Sequence, residues 1–300
     1  MRLGLAPGLQ PLWRHLILSA AKLPGLSCRT WSRARHAADA FVAGELDLIG
    51  VVIAELPSLG DLVRTPLRFV LPVTWMRVGM PIIARANSGL NGLDTLAGCS
   101  LATLPLDEPA MFAWRGLTLA RTGRRLQTFC QVVEDHAPWE LLEAGGVDVA
   151  VTTERAWDEL HNDRRFRLAT SLAAEWQGLT TRRLPIMGGF FGRPAWVAAH
   201  RDALERVRAT LASGLTAARA DAHAFAQSIT DCPGTPPLSP DLAVFLIDYW
   251  GLDEVDAGRL RVSVADQKDA ADLLRWIAEA GCCSTEAISA ALAAFRVASA

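Results

Sequence analysis

The sequence lacks the features that mark a membrane protein or a nucleic-acid-binding protein. No apolar run approaches the roughly 18 residues that a transmembrane helix requires. The 30 basic and 32 acidic residues nearly cancel, and the formal charge of −2 gives no basic footprint for nucleic acid or for an anionic membrane. We therefore expect no nucleic-acid partner and no membrane span.

Motifs for metal, nucleotide and nucleophilic chemistry are also missing. The six histidines show no H-E-x-x-H spacing and no close pairing with cysteine. There is no Walker loop, no G-x-G-x-x-G and no G-x-S-x-G. We expect no metal and no cofactor, and the sequence names no catalytic residue.

The six cysteines have irregular spacing and no C-x-x-C, and Cys282 and Cys283 are adjacent. Isolated cysteines among apolar neighbours are usually small buried hydrophobic residues, so we expect all six to be reduced, as in a cytoplasmic protein.

The chain also starts directly with a strand pattern over residues 2–5, which leaves no room for a signal peptide. The expected location is cytoplasmic, or periplasmic if the sequence is that of a mature form.

What the sequence does contain is a pattern that occurs twice. Ala-Gly, a spacer residue, an aliphatic residue and Asp occur at residues 43–47 and again at residues 144–148. In each case the glycine suits the position after a helix, where a positive φ is needed. The aspartate then precedes an apolar strand, predicted over residues 48–53 and 149–152.

Prolines repeat at matching places ahead of each pattern. A strand, a loop with Pro7 and a helix opened by Pro11 correspond to a strand, a loop with Pro105 and a helix opened by Pro109. The second proline of each pair suits a first helical turn, where its missing N–H is not needed. The joint repetition predicts two related α/β units.

Short apolar segments suggest how the chain passes between these units. Residues 70–73 and 81–84 are proline-bounded strand candidates that lead into the second unit, and residues 185–191 lead back. The glycines at 188, 189 and 192 indicate an interlobe hinge or close backbone packing. Helices are predicted over residues 12–23, 195–228, 242–250, 265–280 and 285–298. The predicted domains are lobe I, residues 1–78 and 190–300, and lobe II, residues 79–189.

The doubled phrases, together with residues 82–98 and the helix after residues 200–202, resemble the type II periplasmic-binding-protein fold. The resemblance is to its sulfonate-, nitrate- and thiamine-precursor-binding branch of ABC-transporter substrate-binding proteins. It implies an α/β fold of two lobes with two crossing segments and a helical C-terminal region. It also implies a small organic ligand, anionic or aromatic, in an interlobe cleft that closes by hinge motion, and an ABC permease as partner.

A second set of phrases is similar to the 4,5-dihydroxyphthalate decarboxylase family. They lie at residues 75–77, 88–90, 114–116 and 184–187. Where that family has histidines after the first and last phrases, this chain has Val78 and Gly188. The alternative function is therefore a cytoplasmic lyase or decarboxylase acting on an aromatic or cyclic carboxylic acid on the same fold, and a third class is a cytoplasmic ligand sensor.

In such folds the ligand lies at the carboxyl ends of strands and at helix N-termini, where free N–H groups favour polar or anionic groups. Four such edges occur, at residues 7–10, 50–52, 104–108 and 152–154. The candidate ligand-binding residues are Pro7, Gln10, Trp13, Val51, Val52, Trp75, Arg77, Asp107, Glu108, Thr152, Thr153 and Trp157.

Each of these residues also has a structural explanation. The threonines could donate hydroxyl groups to a ligand or cap a helix, and the acids at 107 and 108 could cap a helix or favour an amine or cation over an anion. Arg77 could clamp a carboxylate or sulfonate, or form a surface ion pair. The tryptophans could stack on a flat ligand or pack in the core.

Overall fold

The structure is a computed structural model, and it describes residues 1–6, 25–75, 77–180, 186–221, 223–224, 239–249, 251–255 and 258–295. The chain divides into two compact units. Unit 1 comprises Met1–Trp75, Ile186–Ala271 and Thr285–Ala300, and unit 2 comprises Met76–Pro185 and Asp272–Ser284. The lobes predicted from the sequence differ chiefly in placing residues 272–284 with the first lobe.

Ten strands lie within the described residues and form two five-stranded sheets. They are β1 (Arg2–Leu5), β2 (Ser27–Thr30), β3 (Leu48–Val52), β4 (Arg68–Trp75), β5 (Ile82–Arg85), β6 (Ser100–Thr103), β7 (Gln131–Glu134), β8 (Val149–Val151), β9 (Phe166–Thr170) and β10 (Ile186–Gly192).

Helices cover the sheets and form the C-terminal region. They are α1 (Ala34–Val42), α2 (Asp61–Arg64), α3 (Pro109–Thr122), α4 (Leu126–Phe129), α5 (Pro138–Ala144), α6 (Glu154–Leu160), α7 (Leu172–Thr180), α8 (Pro194–Ala199), α9 (Arg201–Ala220), α10 (Pro240–Tyr249), α11 (Val264–Glu279) and α12 (Thr285–Ala293). Short 3-10 helices lie at Ile53–Ser58, Leu93–Leu96 and Leu252–Glu254. None of the described helices combines the length and apolar character that a membrane span requires.

The two sheets share the same arrangement of strand directions, although the fourth strand in the order comes last along the chain in unit 1 (β10) and first in unit 2 (β5). Unit 1 has the order β2-β1-β3-β10-β4 and unit 2 has the order β7-β6-β8-β5-β9. The first three strands of each sheet are parallel, and the fourth is antiparallel to both of its neighbours. The repetition predicted from the sequence is therefore confirmed at the level of strand order and direction.

The doubled phrase has one structural explanation in both units. Gly44 follows the end of α1 with a φ of +80°, and Gly145 follows α5 with the same value. The aspartates then tie β3 to β1 in unit 1 and β8 to β6 in unit 2: Asp47 accepts a hydrogen bond from the Arg2 N–H at 2.7 Å, and Asp148 accepts one from the Ser100 N–H at 2.8 Å. These contacts lie at the amino ends of the strands, away from the expected ligand edge.

Strand β10 is buried along its whole length because its glycines allow the neighbouring strands to approach. A Cβ at Gly189 would lie 2.4 Å from the Leu71 carbonyl oxygen, and a Cβ at Gly192 would lie 2.6 Å from Leu48 Cδ2. Close packing is therefore observed at both positions, against backbone at Gly189 and against side chains at Gly192, and the hinge interpretation stays a prediction.

The decarboxylase-like phrase at residues 114–116 is structural. Trp114 is buried and donates its indole N–H to the Met80 carbonyl oxygen at 3.0 Å. A Cβ at Gly116 would lie 2.9 Å from the backbone of Trp276, so this glycine lets α11 contact α3 closely. The phrase thus builds unit 2.

One helix prediction needs correction. The long helix predicted over residues 195–228 is two helices, α8 and α9, separated at His200. At the start of α11, Ser263 accepts a hydrogen bond from the Asp266 N–H at 3.1 Å, and Asp266 accepts one from the Ser263 N–H at 2.9 Å, as in a capping box. The helix predicted over residues 12–23 lies outside the described residues.

Five cysteines are free thiols, and Cys232 lies outside the described residues.

Candidate functional site

The carboxyl ends of β1, β2 and β3 lie at one edge of the unit 1 sheet because the three strands are parallel neighbours. Beyond β1 the predicted residues Pro7, Gln10 and Trp13 lie outside the described residues. Val51 is wholly buried and pairs with Gly189, so it belongs to the core.

Val52 is half-buried and opens the 3-10 helix Ile53–Ser58 directly after β3. The side chain of Glu55 in this helix is largely buried, and its Oε2 has no hydrogen-bond partner among the described residues. Burial alone raises the pKa of its carboxyl group from 4.5 to about 7. At neutral pH the group can therefore either accept a hydrogen bond as a carboxylate or donate one as an acid.

Trp31 lies at the same edge, immediately after β2. Its backbone N–H continues the sheet by donating to the Leu5 carbonyl oxygen at 3.1 Å. The guanidinium of Arg29 lies 3.9 Å from the centre of the indole ring, a cation–π contact. The indole N–H is buried and finds no acceptor in the part of the chain that the structure describes.

In unit 2 the corresponding edge is formed by the ends of β6, β7 and β8. Thr103 ends β6 with no exposed surface, and its hydroxyl has no partner within the described ranges. The loop that follows is held at Leu106, whose N–H donates to Glu134 Oε2 at 2.7 Å and whose carbonyl oxygen accepts from Arg115 at 2.9 Å. The loop is thus fixed through its backbone.

The two predicted acids lie in this loop. Asp107 is exposed. Glu108 occupies the N-cap position of α3, but its carboxylate makes no capping hydrogen bond. Helix capping by its side chain, the structural explanation proposed for Glu108, is therefore not observed.

The predicted residues after β8 mostly have structural roles. The Thr152 hydroxyl is buried and donates to the Pro81 carbonyl oxygen at 3.1 Å. Thr153 caps α6 by accepting a hydrogen bond from the Ala156 N–H at 3.4 Å. Trp157 packs against the core of unit 2, and its ring centre lies 5.9 Å from that of His161. Of these three residues, Thr153 is the exposed one at the strand ends.

The predicted pair of Trp75 and Arg77 lies where β4 ends. Trp75 is the last residue of β4, and the structure describes only its backbone. Arg77 is partly buried and begins the crossing into unit 2. A stacking and clamping role for this pair stays a prediction.

Sequence reasoning missed Trp31, Glu55 and Thr103. Glu55 had a detectable signal, since it is a single acid in the otherwise apolar run over residues 48–57. Trp31 and Thr103 had none, because a buried polar atom without a partner can be recognised only once its surroundings are known.

No protein-family model and no curated protein matches the chain significantly. Solved structures do match it. The alkanesulfonate-binding protein SsuA from Xanthomonas axonopodis pv. citri, bound to MOPS, is 16% identical with a TM-score of 0.57, over 95% of this chain and 94% of that one. A putative periplasmic sulfonate-binding SsuA from Methylobacillus flagellatus KT is 13% identical with a TM-score of 0.64, over 97% and 93%.

The desulfurization enzyme DSZB is also similar, with 12% identity and a TM-score of 0.59 over 98% of this chain and 99% of that one. Binding proteins and an enzyme therefore share this architecture, and identities this low speak for the fold alone. The cytoplasmic location expected from the sequence finds no support among the SsuA neighbours, which include a protein described as periplasmic. The chain has the two-lobed type II periplasmic-binding-protein fold that its doubled phrases predicted.

Proposed function

We propose that the protein binds a small organic solute at the carboxyl edges of its parallel strands. The observation that carries this proposal is a set of three buried polar atoms with no described partner, each beside the carboxyl end of a different strand. They are Trp31 Nε1 after β2, Glu55 Oε2 after β3 and Thr103 Oγ1 at the end of β6. A buried polar group without a partner costs about 1–3 kcal/mol, so a solute that pairs with such an atom at either edge gains affinity.

The chemistry of the two unit 1 atoms, on Trp31 and Glu55, favours a solute that both donates and accepts hydrogen bonds. The indole N–H of Trp31 needs an acceptor, and the hydroxyl of Thr103 serves either role. Glu55 in its ionised form needs a donor, for which a protonated nitrogen is the strongest choice. We therefore propose a ligand with an anionic or carbonyl acceptor and an amine, such as an aminosulfonate or an amino-substituted acid.

The Xanthomonas neighbour contains a molecule of this kind, since MOPS carries a sulfonate and a protonatable amine. This likeness supports the proposed class and does not extend to the individual compound. The proposed ligand class combines two of the sequence-based predictions. The resemblance implies an anionic ligand, and the acids at residues 107 and 108 favour an amine.

We further propose an ABC permease as the partner and an extracytoplasmic location, by analogy with the periplasmic neighbours. Cell fractionation of the native host tests the location: the proposal expects the protein with periplasmic or surface fractions. Recovery with a cytoplasmic marker enzyme would contradict it and would favour the sensor or the enzyme.

The function is tested by thermal-shift measurements with MOPS, taurine, methanesulfonate, benzoate, uracil and putrescine. A ligand present at a hundredfold its Kd stabilises the folded chain by about 2.7 kcal/mol. We expect MOPS or taurine to raise the unfolding temperature more than methanesulfonate or putrescine, which each offer one half of the required chemistry. A panel without any stabilising compound would contradict the proposal.

The enzyme alternative has its own outcome in the same experiment. DSZB is an enzyme with this architecture, so a stabilising compound must also be followed by chromatography over time. Recovery of the unchanged compound supports a binding protein. Consumption of the compound would replace this proposal with the alternative, a lyase or decarboxylase activity.

A further inference from the structure

Cys99 and Cys130 lie side by side at the start of two neighbouring parallel strands. β6 and β7 are paired with Ser100 opposite Gln131, and the two cysteines come one position earlier. Hydrogen bonds continue the ladder past them, from the Gly98 N–H to the Phe129 carbonyl oxygen at 2.8 Å and from the Gln131 N–H to the Cys99 carbonyl oxygen at 2.9 Å. Neighbouring strands lie about 4.7–4.9 Å apart, within the range of roughly 4.4–6.8 Å between Cα atoms that a disulfide needs.

The two thiols also face the same structural element. The Cys99 thiol donates to the Thr95 carbonyl oxygen at 3.8 Å, and the Cys130 thiol donates to the Leu96 carbonyl oxygen at 3.3 Å. These are consecutive carbonyls of the 3-10 helix Leu93–Leu96. The electrostatic effect of Cys99 on the other thiol agrees with this proximity: burial first, and then Cys99, raise the pKa of Cys130 to about 12.

We infer that Cys99 and Cys130 form a disulfide site in unit 2, which is closed by thiol–disulfide exchange with a small or protein-borne disulfide. The bond would fasten β7, the edge strand of the sheet, to β6. Formation of this disulfide does not depend on which solute the protein binds. The inference differs from the sequence-based expectation that all cysteines stay reduced.

The order of the two steps follows from exposure. Cys99 is partly exposed and lines an open surface pocket together with Arg85, Ser88 and Asp148. Cys130, in contrast, is buried. The Cys99 thiolate attacks the disulfide RSSR, forming a mixed disulfide and releasing RS⁻, which takes up the proton that Cys99 lost. Cys130 then loses its proton and attacks the Cys99 sulfur, and the second RS⁻ leaves and takes up that proton, so that two protein thiols are oxidised and one RSSR is reduced to two RSH.

The test uses the full chain under native conditions with oxidised glutathione, compared with a sample in dithiothreitol. After alkylation and digestion, mass spectrometry should find a peptide pair joined through Cys99 and Cys130, and thiol titration should show the loss of two thiols. Because the bond would close a 99–130 loop, the unfolding temperature of the oxidised chain should rise by roughly 5–10 °C.

Matched variants separate this site from the other cysteines. Cys99→Ser, at the more exposed position, should abolish the cross-link and the rise, while a Cys282→Ser/Cys283→Ser double variant should keep both. Stable glutathione on Cys99 without closure, a cross-link to a different cysteine, or two unreacted thiols after prolonged oxidation would each overturn the inference. The peptide mapping uses the wild-type chain, so it decides the question even if Cys99→Ser does not fold.

Discussion

The carboxylate of Asp148 accepts two hydrogen bonds from Ser100, one from the backbone N–H at 2.8 Å and one from the hydroxyl at 2.7 Å. Asp47 makes the equivalent contact in unit 1, where Arg2 supplies its N–H and its guanidinium. One aspartate thus fixes the start of β3 against the start of β1 in unit 1, and the other fixes the start of β8 against the start of β6 in unit 2. The doubled phrase therefore has the same structural role in both units, at the amino ends of the strands.

Replacing Asp148 should destabilise unit 2. Asp148→Ala removes the acceptor for both groups of Ser100, and we expect a loss of about 1–2 kcal/mol in the free energy of unfolding at pH 7, measured by urea denaturation. Asp94→Ala is the control, because the Asp94 side chain is 80% exposed and its nearest ion-pair distance, to Arg121, is 3.9 Å. Equal stability of the two variants would contradict the proposed role of Asp148.

The same contact predicts a pH dependence. The hydrogen bonds from Ser100 lower the pKa of Asp148 below its ordinary 3.8. Its contribution is therefore complete above the ordinary pKa and is lost as the pH falls through the lowered value. The difference in stability between the wild type and Asp148→Ala should shrink in acid; a difference that does not change with pH would argue against an ionised acceptor.

Glu55 should produce a pH dependence of the opposite sign. Its pKa is raised from 4.5 to about 7 in the folded chain, so between these values the folded state holds a proton that the unfolded state releases. Stability relative to Glu55→Gln should therefore fall by about 2–3 kcal/mol as the pH rises from 4.5 to 7, and then level off. Urea denaturation of both proteins across this range measures the effect, and parallel curves would show that Glu55 is solvated.

Gly189 should tolerate no side chain. The Cβ of Gly189→Ala would meet the Leu71 carbonyl oxygen at 2.4 Å and the Phe69 ring at 2.5 Å, in the middle of a buried strand. We expect a loss of about 3 kcal/mol in unfolding free energy. Gly146→Ala is the matched control, since its nearest neighbour would lie 3.5 Å away, and an equally small effect at Gly189 would refute the close packing.

The sequence predicted the fold largely because backbone requirements leave visible marks. Gly44 and Gly145 are needed for positive φ, and Pro109 opens a helix as expected. The break at His200 between α8 and α9 was missed because the helical spacing of apolar residues continues from Val197 into α9.

The site was less predictable, for a physical reason. Thr152 and Thr153 have the chemistry of ligand-binding residues, yet their hydroxyls are used within unit 2. Whether a polar group is free for a ligand depends on the partners that folding brings to it, and these come from distant parts of the chain. For example, the hydroxyl of Thr152 donates its hydrogen bond to the carbonyl oxygen of Pro81, 71 positions earlier in the sequence.

The central claim is that solute binds through the unpartnered groups at the carboxyl edges, and two buried threonines of unit 2 test it most directly. Thr103 ends β6, whereas Thr118 lies within α3; both have no exposed surface and a hydroxyl without a described partner. The measurement is isothermal titration calorimetry of the most stabilising compound in the panel with the wild type, Thr103→Val and Thr118→Val. The account predicts about tenfold or greater weakening for Thr103→Val and wild-type affinity for Thr118→Val. Equal affinity for all three proteins, or no heat of binding for any of them, would contradict it.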